Sequence, residues 1–373
     1  MRRSKQWHSV TVTLLFMFKP QFTITNSILK HIGWIEGAKE VIDYAVMVPA
    51  WEVKFQEEAR VRTVHFGTKI EGNELNFSQA QRVLEGQEVL ARERDVQEVI
   101  NYRNVIEYID RLGERYGLSG PGGGVGAYTE GWLKKIHELT TEKILESGKS
   151  GQYRDARVVV KNSQTGEVSF RPPLAVEVPI QIEEFFNWLN RDNGREVHPV
   201  LRAGITHYEL VRIHPFADGN GRVARAFALL VLLREGYDVK RFFSIEEHFD
   251  SNSEEYYGAL QAVSQNKGDL TLWLEFFTKS LAIELTKIKE RVRGLSIDFR
   301  WRDRLGRQIV LNEKQIKIIE WFADHDRITA KEAGELLPEV SDDTILRNIK
   351  DLLKKGVLKK RGITKNAYYV MRK

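Results

Sequence analysis

The chain has 373 residues, enough for two or three domains, and its 42% hydrophobic and 29% charged residues are ordinary for a globular protein. It contains no cysteine, which excludes disulfide frameworks, thiolate metal sites and a cysteine nucleophile. The net charge of +5 belongs to the C-terminus: residues 341–373 hold ten Lys or Arg against three Asp, so the remaining 340 residues sum to −2. The bulk of the chain is therefore not expected to be a general nucleic-acid binder.

Residues 1–19 are predicted to be an N-terminal extension. The segment MRRSKQWHSVTVTLLFMF has the basic start and short apolar run of a secretory signal, but no small-residue cleavage site follows. Met17 opens MFKPQFTITN and would serve equally well as a start. No apolar run approaches the roughly 20 residues that a membrane-spanning helix requires. We therefore expect a cytoplasmic protein without membrane contact.

Residues 20–118 are predicted to be helical, because apolar residues recur at three- and four-residue spacing, as at Ile28, Ile32 and Ile35. The glycine-rich run SGPGGGVGA at 119–127 breaks this pattern. It lacks the Gly-Lys-Ser/Thr ending and the preceding apolar strand of a phosphate-binding loop. We interpret it as a linker.

A second domain is predicted over residues 119–285, helical from about residue 128 onward. The segment RVVVKNSQTGEVSFRPP at 157–173 interrupts it with alternating side chains, a turn at Thr165–Gly166 and a closing proline pair, which predicts a β-hairpin. Apolar periodicity predicts helices at 201–213 and 223–236. The fold class is therefore mainly α, with an inserted hairpin.

Residues 309–373 follow a basic connector at 286–308 and are predicted to form a winged helix, with three short helices before a two-stranded wing. Its third helix and wing carry basic residues that could follow a DNA phosphate backbone: Arg347, Lys350, Lys354, Lys359, Lys360 and Arg361. Winged helices also pack against proteins. The sequence leaves DNA and protein open as partners of this domain.

The segment HPFADGNGRVAR, residues 214–225, joins the two helices predicted at 201–213 and 223–236. Gly219, Asn220 and Gly221 let backbone N–H groups converge at a helix start, where the helix dipole favours an anion. These residues predict a phosphate-binding loop.

Four charged or titratable side chains surround that loop. Arg222 and Arg225 lie three apart on the first helical turn, so both guanidiniums can point toward one polyphosphate. Asp218 offers a hard oxygen to a magnesium ion that bridges phosphates. His214 is the residue of the segment that can accept a proton near neutral pH.

This segment resembles the Fic family motif, His-x-Phe-x-Asp/Glu-Gly-Asn-Gly-Arg-x-x-Arg, without a departure. The resemblance extends over roughly residues 60–280 and implies a Fic-type helical bundle that uses ATP and Mg²⁺. It implies that His214 deprotonates a protein hydroxyl, which attacks the α-phosphorus of ATP and expels pyrophosphate. Asp218 would hold the magnesium ion, and Phe216 would pack inward and anchor the loop.

Two further segments are similar to parts of the family. The hairpin at 157–170, after GQYR at 151–154, lies where the family has its flap, an edge that clamps the target by strand addition. Tyr257, which follows Tyr256, resembles an adenine-side tyrosine. Packing in the core explains that pair of tyrosines equally well.

The segment GTKIEGNEL, residues 67–75, resembles the family's inhibitory pattern Ser/Thr-x-x-x-Glu-Gly/Asn at Glu71 and Gly72. The resemblance implies that Glu71 reaches Arg225 and inhibits transfer. A C-cap at Gly72 is an alternative that is compatible with this role. The Ser/Thr position falls on Gly67, a departure that predicts a weaker hold on the inhibitory helix.

The resemblance implies a protein adenylyltransferase that acts on a Ser, Thr or Tyr hydroxyl of a target protein, with the chain itself as one candidate target. Two alternatives stay open. One is a DNA-binding regulator whose Fic unit senses nucleotide, and the other is a Fic enzyme that transfers phosphoryl groups or removes AMP. The sequence also leaves homo-oligomerisation open.

Overall fold

The computed structural model describes residues 18–45, 47, 49–117, 126–146, 148–161, 168–237, 239–295, 311–323, 325–362 and 367–372. Within them the chain forms two compact units. The first combines Glu107–Glu235 and Glu255–Leu274 with the described part of Met1–Ile24; the second combines Thr25–Ile106, Gly236–Glu254 and the described part of Glu275–Lys373. Each unit combines segments that are separated along the chain. It therefore does not correspond to the continuous domain ranges expected from the sequence, and those ranges stay predictions.

Several sequence predictions fall outside the described residues. They concern residues 1–17 of the N-terminal extension, residues 118–125 around the glycine-rich linker, the hairpin turn at Thr165–Gly166 and residues 296–310 around the connector.

The N-terminal part of the chain is helical, as predicted, with α1 at Asn26–Asp43, α2 at Pro49–Lys69, α3 at Phe77–Leu84 and α4 at Glu93–Tyr116. Caps explain where two of them begin. The Thr25 hydroxyl accepts the Ile28 N–H at the start of α1, and Asn76 and Gln79 form a reciprocal capping box at the start of α3.

The middle of the chain contains α5 at Glu130–Thr141, strands β1 at Val160–Lys161 and β2 at Val168–Phe170, α6 at Val178–Asn190, α7 at Asp192–Arg195, α8 at Pro199–Ile213 and α9 at Asn220–Arg234. Strands β1 and β2 pair antiparallel, with Val160 opposite Phe170, which confirms the predicted hairpin pairing. Helices α8 and α9 are buried along most of their length, so the loop between them is fixed at both ends by the core.

Three more helices follow: α10 at Ile245–Ser251, α11 at Ser253–Gln265 and α12 at Thr271–Leu295. Helix α12 continues ten residues into the range predicted as a connector, because Ile288 and Val292 remain buried on its apolar face.

The C-terminal residues form α13 at Glu313–Glu320, β3 at Ile328–Thr329, α14 at Ala330–Leu336, α15 at Asp342–Lys354, β4 at Leu358–Arg361 and β5 at Tyr368–Met371. The strands make an antiparallel sheet in the order β3-β5-β4. The sequence predicted three short helices before a two-stranded wing and did not predict β3. Ile328 and Thr329 pair with β5, because the Thr329 hydroxyl caps α14 and leaves the preceding backbone extended.

None of the helices in the described part of the chain combines the length and apolar character required to span a bilayer.

Candidate active site

His214 ends α8 in the left-handed backbone region, with φ 51° and ψ 59°. Its backbone N–H donates to the Leu210 carbonyl. Its ring Nδ1 lies 3.2 Å from the Val211 carbonyl oxygen, which can only accept, so Nδ1 carries the proton of the neutral ring. The lone pair of that tautomer is on Nε2. The half-buried ring can therefore accept a proton at Nε2.

The loop after His214 is closed by the side chain of Asn220. Its Oδ1 accepts the Phe216 N–H and its Nδ2 donates to the Phe216 carbonyl, both at 2.9 Å. Both Asn220 and Phe216 are buried. The Asn220 side chain therefore holds the loop in shape, and a contact of this residue with nucleotide stays a prediction.

His137 on α5 packs against the same loop and hydrogen-bonds to it. Its ring stacks on Phe216 at a centroid distance of 3.8 Å and an interplanar angle of 2°. Its Nδ1 accepts the Gly151 N–H at 2.9 Å, so the proton of the neutral ring is on Nε2, which donates to the Asp218 carbonyl at 3.2 Å. Burial lowers the pKa of His137 to about 4. The neutral ring therefore joins α5 to the loop at ordinary pH.

The part of the loop that is predicted to bind phosphate is crowded at Gly219, whose φ is 76°. A Cβ there would lie 3.2 Å from the methyl groups of both Thr140 and Thr141, so position 219 requires glycine for its conformation and for space. Gly219 is the N-cap of α9 and offers no capping side chain. The first N–H groups of α9 thus meet the conditions for binding an anion.

The predicted charged residues adjoin this helix start. Arg222 and Arg225 are both buried. Asp218 keeps 40% of its side chain exposed, and its carboxylate lies 3.9 Å from the Arg222 guanidinium. A buried cationic face and an exposed carboxylate at one helix start suit a polyphosphate with a bound cation.

Asp218 fits a magnesium site of the kind completed by phosphate oxygens. Magnesium commonly binds one or two carboxylates and the substrate phosphates and keeps several waters. Among the described residues, no group of three or more His, Cys, Asp or Glu could hold a metal ion without a ligand's help. A single carboxylate beside a loop that is predicted to bind phosphate is compatible with that chemistry.

The two tyrosines of α11 have different environments. Tyr256 is buried, and its hydroxyl lies 3.2 Å from Nε2 of His207, whose ring stacks on Trp273. Core packing is thus the role of Tyr256. Tyr257 is 45% exposed, and its ring lies 4.9 Å from that of Tyr256. Only the Tyr257 ring of this pair is available to line a base pocket.

The sequence did not indicate a role for His137 or Arg154. His137 lies four residues after buried Leu133, on the apolar face of α5, and a buried histidine indicates defined hydrogen-bond partners. The four-residue spacing from Leu133 could have identified His137 from the sequence. The Arg154 guanidinium binds backbone carbonyls that are distant in sequence, and nothing in the local pattern indicates them.

Glu71 follows the end of α2. The Gly72 N–H donates to the Lys69 carbonyl and the Asn73 N–H to the Thr68 carbonyl, which is a Schellman motif with Gly72 at φ 95°. The C-cap predicted at Gly72 is therefore present. Glu71 lies in the second unit and Arg225 in the first, so their pairing stays a prediction.

Asn73 fixes the segment beyond the cap. Its Nδ2 donates to the Asp95 carbonyl and to the Glu98 carboxylate, both at 3.0 Å, and its Oδ1 accepts the Leu75 N–H. The backbone that carries Glu71 is thus tied to α4.

Residues 127–232 match the model of the family described as Fic/DOC. This part of the chain is therefore similar to a Fic domain. The matched range includes α5, the hairpin, α8 and most of α9, with the whole loop from His214 to Arg225.

Relatives named protein adenylyltransferase Fic include one from Drosophila virilis, 29% identical over 184 residues, which covers 49% of this chain and 34% of the relative. One from Culex quinquefasciatus is 25% identical over 268 residues, which covers 68% of this chain and 47% of the relative. The chain therefore spans between a third and a half of the length of these relatives.

The crystal structure of a Fic family protein from Desulfovibrio desulfuricans G20 superposes with a TM-score of 0.66 at 23% identity, covering 95% of this chain and 98% of that one. This likeness confirms the predicted fold class, a mainly helical Fic-type bundle.

Proposed function

We propose that this Fic protein is an adenylyltransferase that moves AMP from ATP to a Ser, Thr or Tyr hydroxyl of a protein, with its own chain as one target. The observation that carries the proposal is the position of His214. Its ring, with the lone pair on Nε2, lies six residues before the start of α9, where the first backbone N–H groups suit an anion. The curated relatives, named protein adenylyltransferase Fic, support the same activity.

The reaction has one proton transfer and one displacement at phosphorus. The target hydroxyl gives its proton to His214 Nε2 while its oxygen bonds to the α-phosphorus of ATP. The bond from that phosphorus to the bridging oxygen breaks, and pyrophosphate leaves with the electron pair. The products are an AMP-ester of the target, pyrophosphate and a protonated His214, which loses its proton to solvent.

The loop supplies the electrostatic part of catalysis. The backbone N–H groups of the segment Gly219–Gly221 would receive the α- and β-phosphates, and Arg222 and Arg225 the outer ones. Asp218 would hold Mg²⁺, which offsets phosphate charge when bound. Tyr257 would line the adenine side of the pocket. The flap, residues 157–170, would hold the target segment by strand addition at its exposed edge.

We further propose that Glu71 restrains this activity by pairing with Arg225 and displacing the γ-phosphate. The Schellman cap and the Asn73 contacts support this role, because they fix the backbone on which Glu71 is carried.

Labelled ATP separates the candidate reactions. Wild type and Glu71→Gly are incubated with magnesium and ATP labelled at the α or the γ position, with His214→Ala as the inactive control. Protein-bound α label supports adenylyl transfer. Protein-bound γ label supports phosphoryl transfer, and release of AMP from prelabelled protein supports AMP removal. If neither label transfers and no AMP is released, the domain is a nucleotide sensor and the proposal is wrong.

A second function is proposed for residues 311–372, DNA binding by a winged helix. Six basic side chains of α15 and β4 support it, because all are exposed: Arg347, Lys350, Lys354, Lys359, Lys360 and Arg361. The first three are spaced three and four residues apart and share one face of α15. Strand β4 is the edge of its sheet. Exposed cations on a helix face and an adjacent edge strand suit a phosphate backbone.

A further inference from the structure

Arg154 lies between α5 and the flap and is 6% exposed. Its Nε donates to the His214 carbonyl at 2.7 Å, and its Nη2 lies 3.4 Å from the Ile213 carbonyl. The backbone N–H of Arg154 donates to the Pro215 carbonyl at 2.9 Å. One residue therefore binds three consecutive carbonyls around the proposed catalytic base.

The same guanidinium also binds backbone carbonyls on both sides of the flap. Its Nη1 donates to the Ala156 carbonyl at 3.0 Å and its Nη2 to the Pro173 carbonyl at 2.7 Å. Ala156 lies four residues before β1, and Pro173 three residues after β2. These two residues are the points where the hairpin leaves and rejoins the body of the unit.

Arginine is suited to this position because its planar fork presents five donors in fixed directions. Burial costs the charged group its hydration and lowers the pKa of Arg154 below its ordinary value. The carbonyl bonds offset that cost. A lysine at 154 would keep the charge but could not direct donors to both sides of the fork.

The bonds from Arg154 stabilise an unfavourable backbone conformation at His214. A residue with a Cβ is strained in the left-handed region and stays there only when its surroundings hold it. Arg154 binds the carbonyl of that residue, and Val211 binds its ring. Without the guanidinium, His214 would be free to relax toward an unstrained conformation and its Nε2 would shift.

We propose that Arg154 is a positioning residue that links the backbone of His214 to the residues on both sides of the flap. The catalytic base and the bound target segment then keep a fixed distance and orientation. This inference rests on the proposed function for its catalytic consequence. The phosphate-binding loop has separate supports in His137 and Asn220. Loss of Arg154 therefore lowers the rate of transfer and leaves nucleotide affinity in place.

The test uses Arg154→Lys with Arg234→Lys as the matched control. Arg234 is also buried in the first unit and also donates to backbone carbonyls, those of Tyr116 and Gly126, but it lies at the far end of α9. Hydrogen exchange is measured on the full chain without nucleotide. For Arg154→Lys we expect faster exchange in residues 168–174 and in residues 211–217 together; the control leaves both segments as in wild type.

Activity is measured with α-labelled ATP in the Glu71→Gly background. We expect Arg154→Lys to reduce kcat by about 10²-fold, the cost of a misplacement near 1 Å, with KM for ATP and the affinity for a non-hydrolysable ATP analogue close to those of Arg234→Lys. Faster exchange in only one of the two segments, or in neither, overturns the proposal. So does equal kcat in the two lysine variants.

Failure of the proposed function gives a different result. If no variant transfers α label, the adenylyltransferase assignment fails, and the exchange measurement still decides whether Arg154 joins the flap to His214. Should Arg154→Lys not fold, Arg154→Gln, which keeps one amide donor, is measured in its place. Loss of the fold in both variants while Arg234→Lys folds overturns the proposal, since Arg154 would then support the unit as a whole.

Discussion

The ring of Tyr102 on α4 occupies the space into which a side chain at Gly67 on α2 would project. A Cβ at Gly67 would lie 3.1 Å from Cδ1 and from Cζ of Tyr102, and closer still to Cε1. Tyr102 is fully buried. This contact explains in physical terms why the position aligned with the family's Ser/Thr holds glycine. It also gives the end of α2 a packing support that the sequence did not indicate.

We expect Gly67→Ser to reduce the free energy of unfolding by about 1–3 kcal/mol, the usual cost of overpacking a core. Urea unfolding checks the value. Gly33→Ser is the control, because Gly33 is also helical and a Cβ there meets nothing within 4 Å. Adding Tyr102→Ala to each serine variant should reduce the free energy of unfolding less in the Gly67→Ser chain than in the Gly33→Ser chain. Equal stability of the two single variants would contradict the packing argument.

Replacing His214 by alanine should keep the fold and nucleotide binding and reduce transfer of α label by about 10²–10⁴-fold, the contribution of a general base. Alanine retains the Cβ and the left-handed backbone conflict, so the change removes mainly the ring. His325→Ala, at an exposed histidine that stacks on Trp321, is the matched control. Near-normal labelling by the His214 variant would remove the residue from the mechanism.

His137 should make stability depend on pH in a defined window. Its folded pKa of about 4 lies below the ordinary 6.5, so the unfolded chain binds more protons between these values. The free energy of unfolding is then fully retained above pH 6.5 and falls as pH decreases toward 4, by at most about 1.4 kcal/mol per unit.

His137→Gln should be less stable near neutral pH but lose less on acidification. Urea unfolding of both proteins at about pH 7 and about pH 5 measures the difference in slope. Burial also lowers the pKa of other histidines, His31, His65 and His207, but these contribute equally to both proteins. Parallel pH profiles would show that the His137 ring is not held neutral by the fold.

The sequence predicted the helices, the hairpin and the loop from His214 to Arg225, because periodicity, turn residues and a fixed motif are local. It did not predict the contacts that hold them. Arg154 acts through carbonyls up to 61 positions away, and Tyr102 acts through a ring on another helix. Such contacts depend on how helices pack, which one sequence does not specify. The end of α12 was missed for a similar reason, since burial rather than composition extends it to Leu295.

For the C-terminal residues we expect the full chain to bind duplex DNA at low salt, and binding to weaken between about 50 and 200 mM salt as counterion release loses its advantage. Arg347→Glu combined with Lys350→Glu should weaken binding and flatten the salt dependence by about one unit of slope per residue. Lys331→Glu combined with Lys317→Glu, at exposed side chains on α14 and α13, is the charge-matched control. Fluorescence anisotropy with labelled duplex DNA measures binding by the wild type, the α15 variant and the control. Absence of binding by wild type at low salt would rule out the nucleic-acid role.

Glu71→Gly should raise self-labelling from α-labelled ATP strongly, on the order of 10²-fold, because a carboxylate paired with Arg225 would occupy the guanidinium that the γ-phosphate requires. ATP would still bind wild type, but with its α-phosphorus turned away from in-line attack. Adding Arg225→Ala should cancel much of the gain by removing the ligand of the γ-phosphate.

Glu74→Gly is the matched control, since Glu74 is an exposed glutamate three residues further along the same segment. The Gly67 departure predicts a weak restraint, whereas the Tyr102 contact and the Schellman cap favour a firm one; the size of the activation decides between them. Equal labelling by wild type and Glu71→Gly, with both folded and His214 intact, would exclude the restraint and leave the transferase proposal in place.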